Sequence, residues 1–266
     1  MSPVEIRPGA SPVILAFPHT GTDVPEDMAA RLNENGLRLA DTDWHIHRLY
    51  DGLLPDATTV RATVHRYVID ANRDPAGASL YPGQNTTGLV PLTDFDGAPI
   101  WRDGEEPDEP EIARRLDAFH RPYHEALAAE IEHVKALHGV AILYDCHSIR
   151  SKIPFLFEGV LPDFNIGTDG GRTCDPAIER AVVETCASAE GYSSVLNGRF
   201  RGGWTTRHYG RPDRNVHAIQ MELAQATHVA AEAPPFAYDV AKAEPLRAVL
   251  ADLLHRIEAL AAELKG

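Results

Sequence analysis

The chain has 266 residues, of which 44% are hydrophobic, and this is enough to bury one large core or at most two small ones. Its 25 basic and 39 acidic side chains give a net charge of −14, so neither nucleic acid nor an anionic membrane is expected as a partner. The three cysteines contain no Cys-x-x-Cys pair, which argues against a disulfide-built secreted fold and against a cysteine-based zinc site.

The first residues lack the basic segment and apolar stretch of a signal peptide. No apolar run approaches the length needed to span a bilayer. We therefore expect a cytoplasmic protein that acts on a small molecule, and a monomer is the working hypothesis.

Strand and helix patterns alternate from the start of the chain. The apolar run Val13–Phe17 predicts a buried strand. Residues 25–35 then predict a helix that Gly36 ends, with Asp23 as its N-terminal cap.

A second helix is predicted over residues 43–54, capped by Thr42. Residues 58–64 and 66–70 are rich in β-branched and aromatic side chains, and they predict two further strands.

Residues 71–110 form a long stretch rich in Gly, Pro, Asp and Thr. An irregular segment of this length in a compact domain is usually either functional or disordered. Interspersed apolar side chains indicate that it packs against the domain, and they are Tyr81, Leu89, Leu92, Phe95, Ile100 and Trp101. We predict that this segment forms a wall or lid of the active site.

The next two elements are a long helix and a second buried strand. Residues 111–138 predict an amphipathic helix that stops at Gly139 and that Pro122 kinks or divides. The apolar run 140–144 predicts a buried strand that leads into Asp145-Cys146-His147-Ser148.

The chain then continues with a helix at residues 175–189, capped by Asp175, and a glycine-rich loop at 198–204. A strand at 217–223 and a helix at 245–265 complete it. The order of elements predicts one α/β domain over residues 1–266, with a mixed, mostly parallel sheet flanked by helices.

Two predicted strands each end in a histidine, His19 and His147. Ligands of open α/β sheets bind just outside the carboxyl ends of the strands, so these side chains are expected to meet. Catalytic zinc sites commonly use two histidines and one carboxylate and leave a position open for water. The carboxylate could come from Asp23, Asp43 or Asp145. Asp145 could instead orient the imidazole of His147, because the two side chains leave an extended strand on the same face.

His120 and His124 have the i, i+4 spacing that also suits zinc on a helix. The Glu of an H-E-x-x-H motif is missing, however, and Pro122 lies between them. A capping role, or a pocket contact from His124, is the better expectation.

Glu222 is the only acid in the apolar strand segment Gln220-Met221-Glu222-Leu223. Isolated acids on strands usually face solvent. If this one faces the site, burial and a nearby metal would suit it as a general base on water. Met221 and Leu223 would then pack on the opposite face of the sheet.

Several arginines lie at strand ends and in glycine-rich loops, where they could bind a carboxylate in a bidentate manner. They are Arg66, Arg73, Arg150, Arg201 and Arg207. The pair Asn72-Arg73, directly after a predicted strand, is the strongest candidate for binding an acidic substrate.

Nucleophilic catalysis and nucleotide binding have little support. Ser148 is not in a G-x-S-x-G turn, and Cys146 lies inside the apolar strand end. The chain contains neither a P-loop nor a G-x-G-x-x-G motif.

Taken together, the segments resemble the N-formylglutamate amidohydrolases, or N-formylglutamate deformylases, of histidine degradation. The resemblance covers nearly the whole chain. Its blocks occur in order: Pro18-His19-Thr20-Gly21, Asp41-Thr42-Asp43-Trp44-His45, Arg66-Tyr67-Val68-Ile69-Asp70-Ala71-Asn72-Arg73, Ser79-Leu80-Tyr81-Pro82-Gly83-Gln84, Arg121-Pro122-Tyr123-His124, Asp145-Cys146-His147-Ser148-Ile149-Arg150-Ser151, Leu196-Asn197-Gly198-Arg199-Phe200, Gly202-Gly203-Trp204 and Gln220-Met221-Glu222-Leu223-Ala224.

The resemblance implies a fold like that of zinc carboxypeptidases, with one Zn²⁺ or another divalent ion at the strand ends. It implies His19 and His147 as metal ligands and favours Asp43 as the third. It also implies Glu222 as the general base. One departure is visible, because His47 stands where the family pattern has an acid.

The resemblance further implies that Asn72-Arg73 holds a substrate carboxylate and that the reaction releases formate and L-glutamate from N-formyl-L-glutamate. Two alternatives are a deacylase of another N-acyl acidic amino acid and a non-catalytic binder of acidic amino acids. The joint presence of His19, His147 and Glu222 argues against a binder, since binding needs no base.

Overall fold

The computed structural model describes residues 2–79 and 83–264. A seven-stranded sheet has the spatial order β1-β3-β2-β4-β7-β5-β6. Its strands are β1 Val4–Arg7, β2 Val13–Phe17, β3 Thr58–Ala62, β4 Ala141–Ile149, β5 Phe164–Gly167, β6 Ser194–Leu196 and β7 Val216–Ala224. Strands β1 and β5 run antiparallel to β3 and β7, and the other neighbouring pairs are parallel. The predicted α/β fold with a mixed, mostly parallel sheet is confirmed.

The helices lie on both sides of this sheet. They are α1 Glu26–Ala29, α2 Ile46–Tyr50, α3 Glu109–Arg115, α4 Arg121–His138, α5 Pro176–Ser188, α6 Trp204–Tyr209 and α7 Val240–Leu260. A π-helical turn, Leu116–His120, joins α3 to α4. Across the two described stretches of the chain, no helix has the length and apolarity to cross a membrane.

The two faces of the sheet bury separate apolar clusters. Helix α4 covers one face with Tyr123, Leu127, Ile131 and Val134. Helices α2, α5 and α7 cover the other, where the larger cluster lies. Strands β2, β4 and β7 are buried along their whole length, as expected for the centre of a parallel sheet. Their carboxyl ends therefore lie together at one edge of the molecule's core.

The two helices predicted near the start of the chain are shorter than expected. Helix α1 has Pro25 at its N-cap, whereas Asp23 bridges Val64 through backbone hydrogen bonds. Helix α2 begins only at Ile46, because the preceding His45 has a φ of 62° that an α-helix cannot contain. The predictions of Asp23 and Thr42 as caps were wrong.

The predicted strand over residues 66–70 is a turn instead. The N–H of Val68 donates to the carbonyl of His65, and the N–H of Asp70 donates to the carbonyl of Leu89. The side chains of Arg66 and Asp70 at the two ends of this turn are both buried.

The long helix is confirmed, and it begins at Glu109 with Asp108 as its N-cap. It ends at Gly139, whose φ of 79° closes the last turn. The predicted irregularity lies just before Pro122, at the π-helical turn Leu116–His120. A wider turn at this point accommodates a proline that lacks an N–H.

Strand β4 continues to Ile149, so the tetrapeptide Asp145-Cys146-His147-Ser148 lies inside the strand rather than after it. Helix α7 begins at Val240, earlier than predicted, with the exposed Pro245 in its second turn. The predicted end of this helix at Lys265 lies outside the described residues.

Helix α5, with Asp175 as its N-cap, and strand β7 agree with the prediction. Between residues 71 and 108 the described part contains no helix or strand. Within it Phe95, Ile100 and Trp101 are buried, whereas Leu92 is exposed, and Tyr81 lies outside the described residues. The segment therefore packs against the domain without regular structure.

Candidate metal centre and substrate cavity

The carboxyl ends of three parallel strands bring the predicted polar residues together. His19 follows β2, His147 lies in β4, and Glu222 lies in β7 directly opposite His147. Asp43 joins them from the turn before α2, where its N–H donates to the carbonyl of His19.

His19, Asp43 and His147 form the one buried group, among the described residues, whose donor atoms are arranged to hold a metal ion. The Nδ1 atoms of the two histidines lie 3.2 Å apart. Asp43 Oδ2 lies 3.1 Å from Nδ1 of His147 and 3.7 Å from Nδ1 of His19. Four ligands at the usual Zn–N and Zn–O bond lengths would be about 3.3 Å apart in a tetrahedron. These donors therefore fit three corners of a zinc site.

The far nitrogen of each imidazole lies against a carboxylate. His19 Nε2 is 2.6 Å from Oδ1 of Asp70, and His147 Nε2 is 3.1 Å from Oδ1 of Asp145. Burial alone would raise the pKa of Asp70, but Arg73 and His19 hold it well below its usual range. An ionised carboxylate only accepts, so Nε2 of His19 carries the proton and Nδ1 presents its lone pair.

Asp43 is held as a carboxylate. Burial would raise its pKa, but Arg66 and the two histidines lower it well below the usual value. The guanidinium of Arg66 donates to Oδ1, and the N–H of Ser148 donates to Oδ2 over 3.1 Å. Burial would likewise lower the pKa of His147, yet Asp145 and Asp43 raise it well above the usual value. The electrostatic surroundings therefore favour a cation at this place.

The other candidate ligands lie elsewhere. Asp23 is in the bridge to Val64 and is not a member of the group. Asp145 lies behind the ring of His147 and accepts a hydrogen bond from the hydroxyl of Thr206 over 3.1 Å. The geometry thus gives Asp145 an orienting position, one of the two roles left open by the sequence.

Glu222 lines the same cavity as His19 and His147. It is 6% exposed, and Nε2 of Gln220 donates to its Oε2 over 3.0 Å. Burial, with further contributions from Asp43 and Asp145, raises its pKa to about 8.

Above the donors lies a cavity with about 590 Å³ of empty space, open to solvent. Most of the residues that line it are polar, and three of them have cationic side chains. Beyond the floor residues His19, His147 and Glu222, the lining comprises Arg66, Asn72, Arg73, Asn85, Thr86, Thr87, Phe95, Ser148, Ile149, Leu156, Arg199, Phe200, Gly203 and Gln220.

Only two of the five predicted arginines, Arg66 and Arg73, line this cavity. Arg150 instead pairs with Asp96 at 2.8 Å. Arg207 donates to the carbonyl of Gly202 over 2.8 Å.

Arg201 is also absent from the cavity lining, so three of the predicted substrate arginines lie outside it. The sequence did not single out Arg199, which belongs to the same glycine-rich loop and does line the cavity. Nor did the sequence single out Asp70. The only feature that could have indicated it is its position at the end of the strand predicted over residues 66–70. His47, the departure from the family pattern, is exposed on α2 and outside the lining.

Asn72 sits against the metal group. Its Nδ2 lies 3.1 Å from Nε2 of His147, and its Oδ1 accepts from the N–H of Thr205 over 2.8 Å. A Cβ on Gly203 would come within 2.3 Å of Nδ2 of Asn72. Glycine at this position is what permits the close approach.

His120 and His124 are not members of the metal group but hold the backbone that carries Asn72. Nε2 of His120 donates to the carbonyl of Arg73 over 3.1 Å, and Nε2 of His124 donates to the carbonyl of Ala71 over 2.7 Å. Burial lowers the pKa of His120, and it lowers that of His124 to about 3. Both rings therefore act as neutral donors on either side of Asn72.

Known proteins of one family resemble this chain over most of its length. A model of the N-formylglutamate amidohydrolase family matches residues 11–229. The N-formylglutamate deformylase of Pseudomonas aeruginosa is 48% identical over 255 residues, which are 96% of this chain and 95% of that protein. The N-formylglutamate deformylase of Pseudomonas putida is 45% identical over 256 residues, with the same coverage of 96% and 95%.

Two solved structures share the fold. The N-formylglutamate amidohydrolase from Ralstonia eutropha JMP134 has a TM-score of 0.81 at 26% identity and covers 99% of both chains. A protein from Agrobacterium tumefaciens has a TM-score of 0.75 at 18% identity, covering 98% of this chain and 96% of its own, and it shows the fold alone. The prediction of an amidohydrolase is confirmed: the chain belongs to the N-formylglutamate amidohydrolase family.

Proposed function

We propose that the protein hydrolyses N-formyl-L-glutamate to formate and L-glutamate, with one zinc ion held by His19, Asp43 and His147. The observation that carries this proposal is the triangle of buried donors, 3.1–3.7 Å apart, on the floor of a cavity with arginine in its lining. The relatives named N-formylglutamate deformylase support the choice of substrate.

When bound, zinc supplies Lewis-acid chemistry, because it polarises a carbonyl and lowers the pKa of water. Glu222 takes a proton from the attacking water and passes it to the departing nitrogen. Its position opposite His147 places it beside the ligand set. A neighbouring divalent cation would lower the raised pKa of Glu222 and favour the ionised base.

The remaining residues bind and polarise the substrate. The water oxygen adds to the formyl carbon, the carbon–nitrogen bond breaks, and the amino group of glutamate receives the proton. Arg66 is buried beside Asp43 and lines the cavity, so it can stabilise negative charge on the formyl oxygen. Asn72 and Arg73 bind a carboxylate of the substrate.

Part of the irregular segment over residues 71–110 forms the cavity wall. Asn85, Thr86, Thr87 and Phe95 belong to the lining. We propose that this wall limits the access of bulk water to the reacting carbonyl, as a lid would.

The test is release of formate from N-formyl-L-glutamate by purified protein, first stripped of metal and then supplied with zinc. We expect no release without metal and release after zinc is restored. Zinc-loaded protein that leaves N-formyl-L-glutamate intact would contradict the proposal. Cleavage of N-acetyl-L-glutamate in a parallel assay would identify a different deacylase. Equilibrium binding without turnover would identify a binding protein.

We also propose that the reaction occurs in the cytoplasm and closes a route of histidine degradation, as the family resemblance implies. Cells that lack the protein should then accumulate N-formyl-L-glutamate when histidine is their nitrogen source. Unchanged levels of N-formyl-L-glutamate would contradict a role in histidine degradation.

A further inference from the structure

N-formyl-L-glutamate carries two carboxylates at different distances from the bond that breaks. The α-carboxylate carbon is three bonds from the formyl carbon, and the side-chain carboxylate carbon is five bonds away. An enzyme that holds the formyl group at the metal must therefore bind the first carboxylate close to the metal and the second farther along the cavity.

Three residues that could bind a carboxylate lie beside the metal donors or their partners, and they are Arg66, Asn72 and Arg73. Arg66 pairs with Asp43, and Asn72 touches His147. Nη1 of Arg73 lies 3.4 Å from Asp70, which in turn contacts His19. Arg66 and Asn72 thus contact metal donors directly, and Arg73 reaches His19 through Asp70, so this part of the cavity suits the α-carboxylate.

Arg199 lines the same cavity, and hydrogen bonds to two wall loops anchor it. Its Nε donates to the carbonyl of Leu156 over 3.0 Å, and its Nη2 donates to the carbonyl of Asn85 over 3.0 Å. The side chain of Asn85 also donates to the carbonyl of Phe155 over 2.7 Å, which joins the two loops. These contacts are to the loops that form the wall and not to any metal donor.

The two carbonyls orient the guanidinium of Arg199 without cancelling its positive charge. The ring of Phe200 lies beside it, with its centroid 5.3 Å from the guanidinium carbon. An arginine fixed in this way is pre-organised, so little side-chain entropy is lost when it binds a carboxylate.

We propose that Arg199 binds the side-chain carboxylate of the substrate and so selects an acidic amino acid over a neutral one. The inference rests on the proposed function and extends it. The α-carboxylate lies with Asn72 and Arg73 near the metal, and Arg199 takes the carboxylate two bonds farther from the formyl carbon. Specificity for glutamate thus comes from a residue that contacts none of the metal ligands.

The experiment compares Arg199→Gln with the parent on two substrates of nearly equal size, N-formyl-L-glutamate and N-formyl-L-glutamine. Loss of a charge-assisted hydrogen bond should lower kcat/KM for the glutamate substrate by about 10–100-fold, mostly through KM. For the neutral glutamine substrate we expect a change of less than about threefold, because no charged partner is lost.

Two further variants sharpen the comparison. Arg172→Gln removes a positive charge from a 71% exposed side chain outside the cavity and should match the parent on both substrates. Arg199→Lys keeps the charge but loses the planar fork, so its loss on the glutamate substrate should be smaller than that of Arg199→Gln. If Arg199→Gln does not fold, judged by its melting curve, the parent and Arg199→Lys make the same comparison of substrates.

An equal loss on both substrates would overturn the inference, because it would mean that Arg199 only braces the wall loops. This outcome is distinct from failure of the proposed function. If the proposed function is wrong, the zinc-loaded parent releases no formate from N-formyl-L-glutamate. A parent that cleaves this substrate, with an unchanged preference in Arg199→Gln, would overturn the specificity role alone.

Discussion

The neighbouring strands β4 and β7 present two faces that are equally buried but chemically opposite. On one face Cys146, Met221 and Leu223 are fully buried in the apolar core under α5 and α7. On the other face the buried side chains are Asp145, His147, Gln220 and Glu222. Since residues alternate between faces along a strand, one short sequence supplies both the core and the site. Burial alone therefore does not distinguish them.

Hydrogen bonding distinguishes the two faces. Gln220 accepts from the N–H of Gly203 over 2.6 Å and donates to Glu222, so both its amide atoms are used. Such bonds offset the cost of removing polar groups from water. Burial, with Asp43 and Asp145, raises the pKa of Glu222, and the same two aspartates raise the pKa of His147 against the effect of burial, so negative charges are concentrated on this face. A bound cation would balance them, whereas the apolar face needs none.

The largest expected effect comes from Glu222→Gln on the polar face. The variant should keep its zinc and lose about 10²–10⁴-fold in kcat, the usual contribution of a positioned acid–base group. Zinc content by elemental analysis and formate release under saturating substrate measure the two quantities. Turnover equal to that of the parent would remove Glu222 from the mechanism.

The adjacent residue on the apolar face should give the opposite result. Met221→Ala is expected to lower the free energy of unfolding by about 2–5 kcal/mol through loss of packing and formation of a cavity. The kcat of the folded fraction should stay within about twofold of the parent. Denaturant titration measures the stability, and active-site counting measures kcat per folded molecule. A large loss of kcat at unchanged stability would contradict the assignment of packing to one face and catalysis to the other.

An intermediate effect is expected at Asp70, whose carboxylate contacts Nε2 of the proposed metal ligand His19. Asp70→Asn removes the charge opposite Nε2 of His19 and should weaken zinc affinity by about 10–100-fold, the usual cost of altering such a partner. Competition with a chelator measures this affinity. Asp96→Asn makes the same change at a half-exposed site and serves as the control. Equal affinities in the two variants would contradict the role given to Asp70.

The smallest effect concerns pH and His124. Burial lowers the folded-state pKa of His124 to about 3, against an ordinary value of 6.5. Between these values the unfolded chain binds a proton that the folded chain does not, so stability falls as pH decreases below about 6.5. His124→Gln keeps an N–H donor but does not titrate. The parent should lose stability more steeply from pH 6.5 to 5, by at most about 1.4 kcal/mol per pH unit. The same pH dependence of stability in the parent and in His124→Gln would contradict a lowered pKa for His124.

Residues in regular strands or directly after them were the predictable part of the site. His19, His147 and Glu222 follow from two rules, the alternation of side chains on a strand and the meeting of parallel strands at their carboxyl ends. The opposite packing of Met221 and Leu223 followed from the same alternation.

Residues in irregular segments could not be placed in this way. The residue pattern alone left Asp23, Asp43 and Asp145 open as the third donor, and only the family resemblance favoured Asp43, which the structure places in the donor group. Asp70 and Arg199 were missed, because their positions depend on hydrogen bonds to residues distant in the sequence. The N–H of Asp70 donates to the carbonyl of Leu89, and the side chain of Arg199 donates to the carbonyls of Leu156 and Asn85. Composition likewise cannot tell a cavity arginine from one such as Arg150, which pairs with a nearby acid.

The most direct test of the metal centre is zinc K-edge X-ray absorption on protein reconstituted with one equivalent of zinc. Two imidazole nitrogens and carboxylate or water oxygens, all at about 2.0–2.2 Å and with no sulfur, would match the donor set on the polar face. The same spectrum should be lost in His19→Ala, which should not retain the metal. Sulfur in the first coordination shell, or full zinc retention by His19→Ala, would contradict the proposed centre.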